Sequence, residues 1–287
     1  MKRACRFVGA GLLVLALAFG VLFGPAPLHP PRPLFYPDLD YAEIALGGSP
    51  PSFGLNLLCW SAALSPPEQQ EDFGALYEAW RSVATRELSG TGALVYPFRS
   101  LHVTVSTPAP SLARGHAGWS EAQRALYRSA WVGALTQSPC VSRQRGGAFP
   151  LVMRGLKLLP APGTAILLFD DPAGQVEELR RCMAARARQL PQAALALVEG
   201  AGFAAPRAGF VHATVMRLAL PRAEGVTDGD IEARWARAAA AFDAMVLQRV
   251  ELVVSREALL VEGTELVNLQ KSSAREFLLW HAPHTSG

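Results

Sequence analysis

Two stretches of the chain alternate apolar and polar residues with a period of two, as a half-buried β-strand does. They are Leu101-His102-Val103-Thr104-Val105 and, 110 residues later, Val211-His212-Ala213-Thr214-Val215. In the first, Leu101, Val103 and Val105 share one face, leaving His102, Thr104 and Ser106 on the other. In the second, Val211, Ala213 and Val215 turn inward and His212 lies beside Thr214. Other apolar runs predict strands at 54–60, 93–96, 149–159, 164–169, 250–255, 258–261 and 276–280. The pair 149–159 and 164–169 reads as a hairpin across the proline- and glycine-bearing turn at 160–163.

Between these runs the apolar spacing changes to three and four residues. Ser65-Pro66-Pro67-Glu68 supplies an N-cap, a first-turn proline and a capping-box glutamate. The stripe Phe73, Leu76, Tyr77, Trp80, Val83 and Ala84 then predicts a helix of about 20 residues. Ser120 with Gln123 opens a second helix carrying Leu126, Ala130 and Leu135. An alanine- and arginine-rich helix begins near Gly174 and breaks or kinks at Pro191. Thr227 and Asp230 open another, with Ile231, Trp235, Ala238, Phe242 and Met245 on one side. Hairpin spacings outnumber strand–helix–strand crossovers, so the class is α+β with antiparallel pairing.

The N-terminus follows a different pattern. Lys2, Arg3 and Arg6 precede a 17-residue apolar run, Phe7 to Phe23. We expect residues 1–24 to be a signal anchor, a hydrophobic helix, with a cleaved signal peptide as the alternative. The basic flank keeps the N-terminus cytoplasmic, giving a single-pass membrane protein with its main domain on the non-cytoplasmic side, or a secreted one after cleavage. Residues 25–37 hold six prolines and read as a stiff linker. The folded domain is expected over 38–287, with halves of roughly 38–148 and 149–287.

Composition changes this picture little. Half of the 287 residues are hydrophobic and the net charge is +3. Mean hydropathy is +0.18, and much of that excess belongs to the N-terminal run. The first 33 residues carry four basic and no acidic groups, leaving 23 Lys+Arg against 24 Asp+Glu in the rest. A nearly neutral domain has no global pull on long nucleic acid, whereas a small phosphate substrate suits it. A monomer is expected. Cys5, Cys59, Cys140 and Cys182 show no metal-ligand spacing, and three in the folded part leave one unpaired. We therefore expect small buried hydrophobes rather than a disulfide scaffold.

The candidate chemistry lies in the two alternating strands. The bare string His-x-[Ser/Thr] is common, and His284-Thr285-Ser286 carries it too. Strand phase and the placement of one copy in each half set His102 and His212 apart. A histidine and a hydroxyl two residues apart lie roughly 6.5–7 Å apart at Cα, within reach of one anionic group. Two such strands offer two imidazoles for proton transfer, with Thr104 and Thr214 to donate to phosphoryl oxygens. That chemistry needs no metal and no cofactor, and no ligand cluster is visible. Trp60, Phe98 and Phe210 offer stacking surfaces, but beside core strands they read as core. His29, His116 and His281 lack a partnered hydroxyl and read as surface residues. Asp170-Asp171 and Asp228-Gly229-Asp230 read as a turn and a helix cap rather than metal ligands.

His102-Val103-Thr104-Val105 and His212-Ala213-Thr214-Val215 resemble the signature of the two-histidine (2H) phosphoesterase superfamily, the 2′-5′ RNA ligase-like proteins and cyclic phosphodiesterases. The arginine that often follows the second threonine by three residues there falls on Arg217, although strand parity points Arg217 away from His212 unless a bulge redirects it. The resemblance implies a two-lobed pseudo-twofold arrangement of antiparallel sheets, helices outside and a central cleft. It further implies a cyclic phosphodiesterase acting on a nucleotide or RNA end, such as a 2′,3′-cyclic phosphate. His102 and His212 would be catalytic, and Thr104, Thr214 and Arg217 substrate-binding. Two other readings stand beside it: a non-catalytic nucleotide- or phosphate-binding module, and a membrane-tethered interaction domain with structural histidines.

Overall fold

The computed structural model describes residues 54–62, 67–109, 119–138, 149–159, 163–198, 211–246, 252–255, 257–262 and 275–281. Contacts divide the chain into two units, 1–34 and 35–287, and every described residue belongs to the second. The anchor and linker expectations fall outside the described residues. Among the described residues no helix is long and apolar enough to cross a membrane.

The described residues form an α+β fold with one open antiparallel sheet and five helices. In chain order the elements are β1 (Leu55–Ser61), α1 (Pro67–Glu87), β2 (Ala93–Val95), β3 (His102–Ala109), α2 (Glu121–Thr136), β4 (Phe149–Leu159) and β5 (Thr164–Asp170). They continue with α3 (Gln175–Ala187), α4 (Gln192–Val198), β6 (Val211–Leu218), α5 (Asp228–Val246), β7 (Leu252–Ser255), β8 (Glu257–Glu262) and β9 (Arg275–His281). The sheet order is β7-β4-β5-β6-β3-β1-β8-β9, with β2 also on β6. Both halves of the chain share this sheet, and the two His-x-Thr strands, β3 and β6, lie at its centre.

Local chemistry starts and stops the helices where the sequence reading places them. Ser120 and Gln123 form a reciprocal capping box at α2. At α5 the Asp230 amide donates to Thr227 Oγ1 over 3.2 Å and the Thr227 amide donates to Asp230 Oδ2 over 2.8 Å. The Val176 amide donates to Asp171 Oδ2 over 2.7 Å near the start of α3. Pro191 separates α3 from α4, its carbonyl accepting from the Ala194 and Leu195 amides.

All five helices feed a single core. Phe73, Tyr77 and Trp80 of α1, Tyr127 and Trp131 of α2, Leu179 and Met183 of α3, Ala194 of α4, and Trp235 and Phe242 of α5 meet Val103, Val105, Ala213 and Val215. Complete burial of each large apolar side chain stabilises by about 1.5–3 kcal/mol. Trp80 donates from Nε1 to the Ala238 carbonyl over 2.8 Å, stitching α1 to α5. The helices thus cover the face of the sheet opposite His102 and His212.

Candidate functional site

In β3 and β6 the apolar residues at odd positions are buried up to Val105 and Val215, while His102, Thr104, His212 and Thr214 are half-buried. The strands pair antiparallel with Val103 opposite Ala213. One residue outward along each strand, His102 stands opposite Thr214 and Thr104 opposite His212. The histidines are then diagonal neighbours, with Cα atoms about 7–8 Å apart. Two strands 110 residues apart in sequence therefore place both imidazoles and both hydroxyls on one face of one strand pair.

Each strand next breaks its alternation at the same offset. In β6 the pairing with β5 runs Ile166↔Thr214 and then Ala165↔Met216, skipping Val215. In β3 the pairing with β1 runs Leu58↔Thr104 and then Leu57↔Ser106, skipping Val105. These are β-bulges, in which the extra residue resets the facing of all that follow. The bulge returns Arg217 to the face of His212 and Thr214, and Arg217 is half-buried there. It also corrects the placement of Ser106. Parity puts Ser106 beside Thr104, yet it lies 2 % exposed opposite the core residue Leu57. Thr107 takes its place on the histidine face and matches Arg217, five residues after its own histidine. Sequence reasoning passed over Thr107, although that shared offset was visible in the chain.

The surroundings of the two histidines differ. Ser61 is the cross-strand neighbour of His102, whereas Leu168 is that of His212. His102 Nδ1 lies 3.0 Å from the Ser100 carbonyl oxygen. That contact makes Nδ1 the proton-bearing nitrogen and leaves Nε2 as the acceptor. Ser100 belongs to a one-turn 3-10 segment, Phe98–Ser100, between β2 and β3. β2 follows β6 from Leu218 to Met216, and the Tyr96 amide donates to Val215 O over 2.8 Å. The chain then loops out over 97–101 and rejoins β6 at Val103. Helix α1 holds this excursion: Tyr77 Oη donates to Tyr96 O over 3.0 Å, and the Phe98 amide donates to Glu78 Oε1 over 2.6 Å. Burial pushes the His102 imidazole below its ordinary pKa, the Ser100 carbonyl raises it, and the Arg217 charge pushes it down further.

Other candidates find structural employment. Trp60 and Phe98 are both 4 % exposed within the core, Phe98 lying edge-on to Phe73 at 5.4 Å. Asp170 pairs with Arg154, Asp228 pairs with Arg222 at 2.6 Å, and Asp230 serves its capping box. No cluster of three potential metal ligands occurs among the described residues. Phe210, His29 and His116 lie outside them, as does the side chain of His281. Cys59 is a buried thiol that is not disulfide-bonded, and burial, first of all, pushes it up to about 12, which disfavours the thiolate. The cysteine expectation needs one correction. Cys182 is disulfide-bonded, and Ser138 Oγ lies 2.9 Å from its sulfur.

The arrangement joins two proton-transfer groups, two neutral hydroxyl donors and one guanidinium on a single face. Such a set suits an oxyanion bearing several oxygens, because donors approach it from both strands. No family model matches the chain, and no curated protein matches it. In structure it is similar to a conserved protein of unknown function from Agrobacterium tumefaciens strain C58. The TM-score is 0.46 and the identity 16%, covering 84% of this chain and 97% of that one.

Proposed function

We propose that this protein is a phosphodiesterase that opens a cyclic phosphate, such as a 2′,3′-cyclic one, or cleaves a phosphodiester on a nucleotide or RNA end. Two-histidine acid/base catalysis carries out the reaction without calling on a metal. The observation that carries the reading is the central strand pair. Val103 opposite Ala213, with matching bulges after each threonine, gathers His102, Thr104, His212, Thr214 and Arg217 on the face opposite the described helices. The sheet order supports a pseudo-twofold, two-lobed description, with β6-β5-β4-β7 on one side of the seam and β3-β1-β8-β9 on the other. The cleft is then the seam itself.

In this mechanism neutral His102 accepts a proton from water at Nε2, and the water oxygen bonds to phosphorus. The bond from phosphorus to the 2′ or 3′ sugar oxygen breaks on the opposite side. His212, in its protonated form, gives that oxygen its proton. Thr104 and Thr214 donate to the non-bridging oxygens, and Arg217 offsets the second negative charge that the monoester gains. The Nε2 of His102, left to accept by the Ser100 contact, with burial disfavouring the charged form, supports His102 as the base, and His212 takes the acid role in this reading.

The test is turnover of the four nucleoside 2′,3′-cyclic phosphates by the full-length protein. His102→Ala and His212→Ala should each lower kcat by about 10²–10⁴, the usual worth of a positioned general acid or base. Unchanged turnover in either variant would make the histidines structural. Tight product binding without wild-type turnover would mark a binding module instead.

A further inference from the structure

The seam between β3 and β6 has two ends of different chemistry. At the His102 end Arg217 stands between Leu94 of β2 and Thr164 of β5. At the His212 end the matching residues are Thr107 and Asn56. The match follows from register: Leu58 opposes Thr104 as Ile166 opposes Thr214, and two residues back along each outer strand stand Asn56 and Thr164. Along the strands the order is Arg217, then His102 with Thr214, then His212 with Thr104, then Thr107. This row spans roughly 20 Å at the strand rise of about 3.3 Å per residue. Among the described residues of this row, one end is cationic and the other carries only neutral donors and acceptors.

Asn56 sets the neutral end apart. Its neighbours Leu55 and Leu57 are fully buried in the helix-side core, so alternation turns the Asn56 side chain to the histidine face. It is 1 % exposed there, and neither Oδ1 nor Nδ2 has a hydrogen-bond partner among the described residues. A buried amide with donor and acceptor both unspent is costly unless a ligand or water completes it. The chemistry of that ligand is constrained. An ionised phosphate accepts but does not donate, so it would leave Oδ1 unsatisfied. A nucleobase edge presents a donor and an acceptor side by side, and a carboxamide meets it bidentately, adenine above all.

We infer that Asn56 and Thr107 form the nucleoside subsite of this cleft, with the base edge on the Asn56 carboxamide and the substrate's sugar toward His212. The inference rests on the phosphodiesterase reading above, and its polarity agrees with it. A proton given by His212 to the leaving sugar oxygen places the sugar at the end where Thr107 and Asn56 stand. The charge of the phosphoryl group then faces Arg217.

Titration calorimetry on the full-length protein tests this without needing turnover, using 3′-AMP and inorganic phosphate as probes. The wild type should bind 3′-AMP more tightly than phosphate. Asn56→Leu should cut that ratio about tenfold while leaving phosphate affinity unchanged. Leucine fills the same space without polar atoms, so the variant should melt no lower than the wild type. Asn56→Asp, which keeps the shape but loses the donor, should cut the ratio as well. An unchanged ratio in both variants would overturn the subsite and leave the phosphodiesterase reading standing. A wild type that prefers phosphate to 3′-AMP would do the same. Failure of both probes to bind would overturn the phosphodiesterase reading, and the subsite with it.

Discussion

His102 is the most constrained side chain of the site. The Ser100 carbonyl fixes its tautomer, burial disfavours its charge, and Arg217 adds to that push. The consequence is a pH dependence with a definite sign. Activity on a cyclic nucleotide should rise with pH through a midpoint below the ordinary histidine value of about 6.5, as His102 loses its proton. Arg217→Met removes one of the two influences that lower it, so that limb should move to higher pH while kcat falls. A kcat/KM profile from pH 4.5 to 9 checks both, and a limb that stays put in Arg217→Met would sever the link between the two residues. Linkage runs the same way for folding. Because the folded pKa is depressed, the stability His102 contributes is intact above about 6.5 and is lost as pH falls toward the folded value.

Among the elements, the bulges do the most to shape the site, and they also show where sequence reading stops. The alternation in Leu101–Val105 and Val211–Val215 announces the strands, and Ser120 with Gln123 announces α2 to the residue. Neither bulge is announced. Val105-Ser106 and Val215-Met216 read locally as ordinary alternation, because a bulge is defined by the register of a distant partner. Here those partners are the Leu57–Leu58 and Ala165–Ile166 steps. For the same reason parity misplaced Ser106 and turned Arg217 the wrong way. Asn56 was equally hidden, since an asparagine inside an apolar strand says nothing of its missing partners.

A second element-scale constraint lies at Gly92, just before β2. Its φ of +81° is left-handed, and its carbonyl accepts from the Ala219 and Leu220 amides. A Cβ there would overlap the Leu220 carbonyl. Gly92→Ala should therefore cost about 2–4 kcal/mol, combining left-handed strain with backbone displacement. Denaturant unfolding measures this, and a loss below about 0.5 kcal/mol would show that β2 is not pinned to the end of β6 in this way.

For the whole molecule, one sheet unites the halves of the chain. Each half contributes its His-x-Thr strand to the centre; β5, β4 and β7 flank β6, whereas β8 and β9 return from the C-terminal half to flank β1 on the β3 side. Antiparallel pairing of the two central strands is what converts a repeated five-residue pattern into a tetrad. That pairing joins residues 110 apart in sequence, so alternation alone shows two candidate strands but not that they touch. The disulfide at Cys182 was illegible for a related reason: three cysteines in the expected folded part forbid a full set of bridges but not a single one.

The central claim is that His102 and His212 meet one phosphate. Proton–nitrogen correlation spectra of ¹⁵N-histidine-labelled protein, assigned with the two alanine variants and titrated with 3′-AMP, test it most directly. The account predicts that the ring signals of His102 and His212 move together with one dissociation constant, and that either alanine variant weakens the response of the remaining histidine. Movement of only one ring, or two rings following different constants, would contradict it.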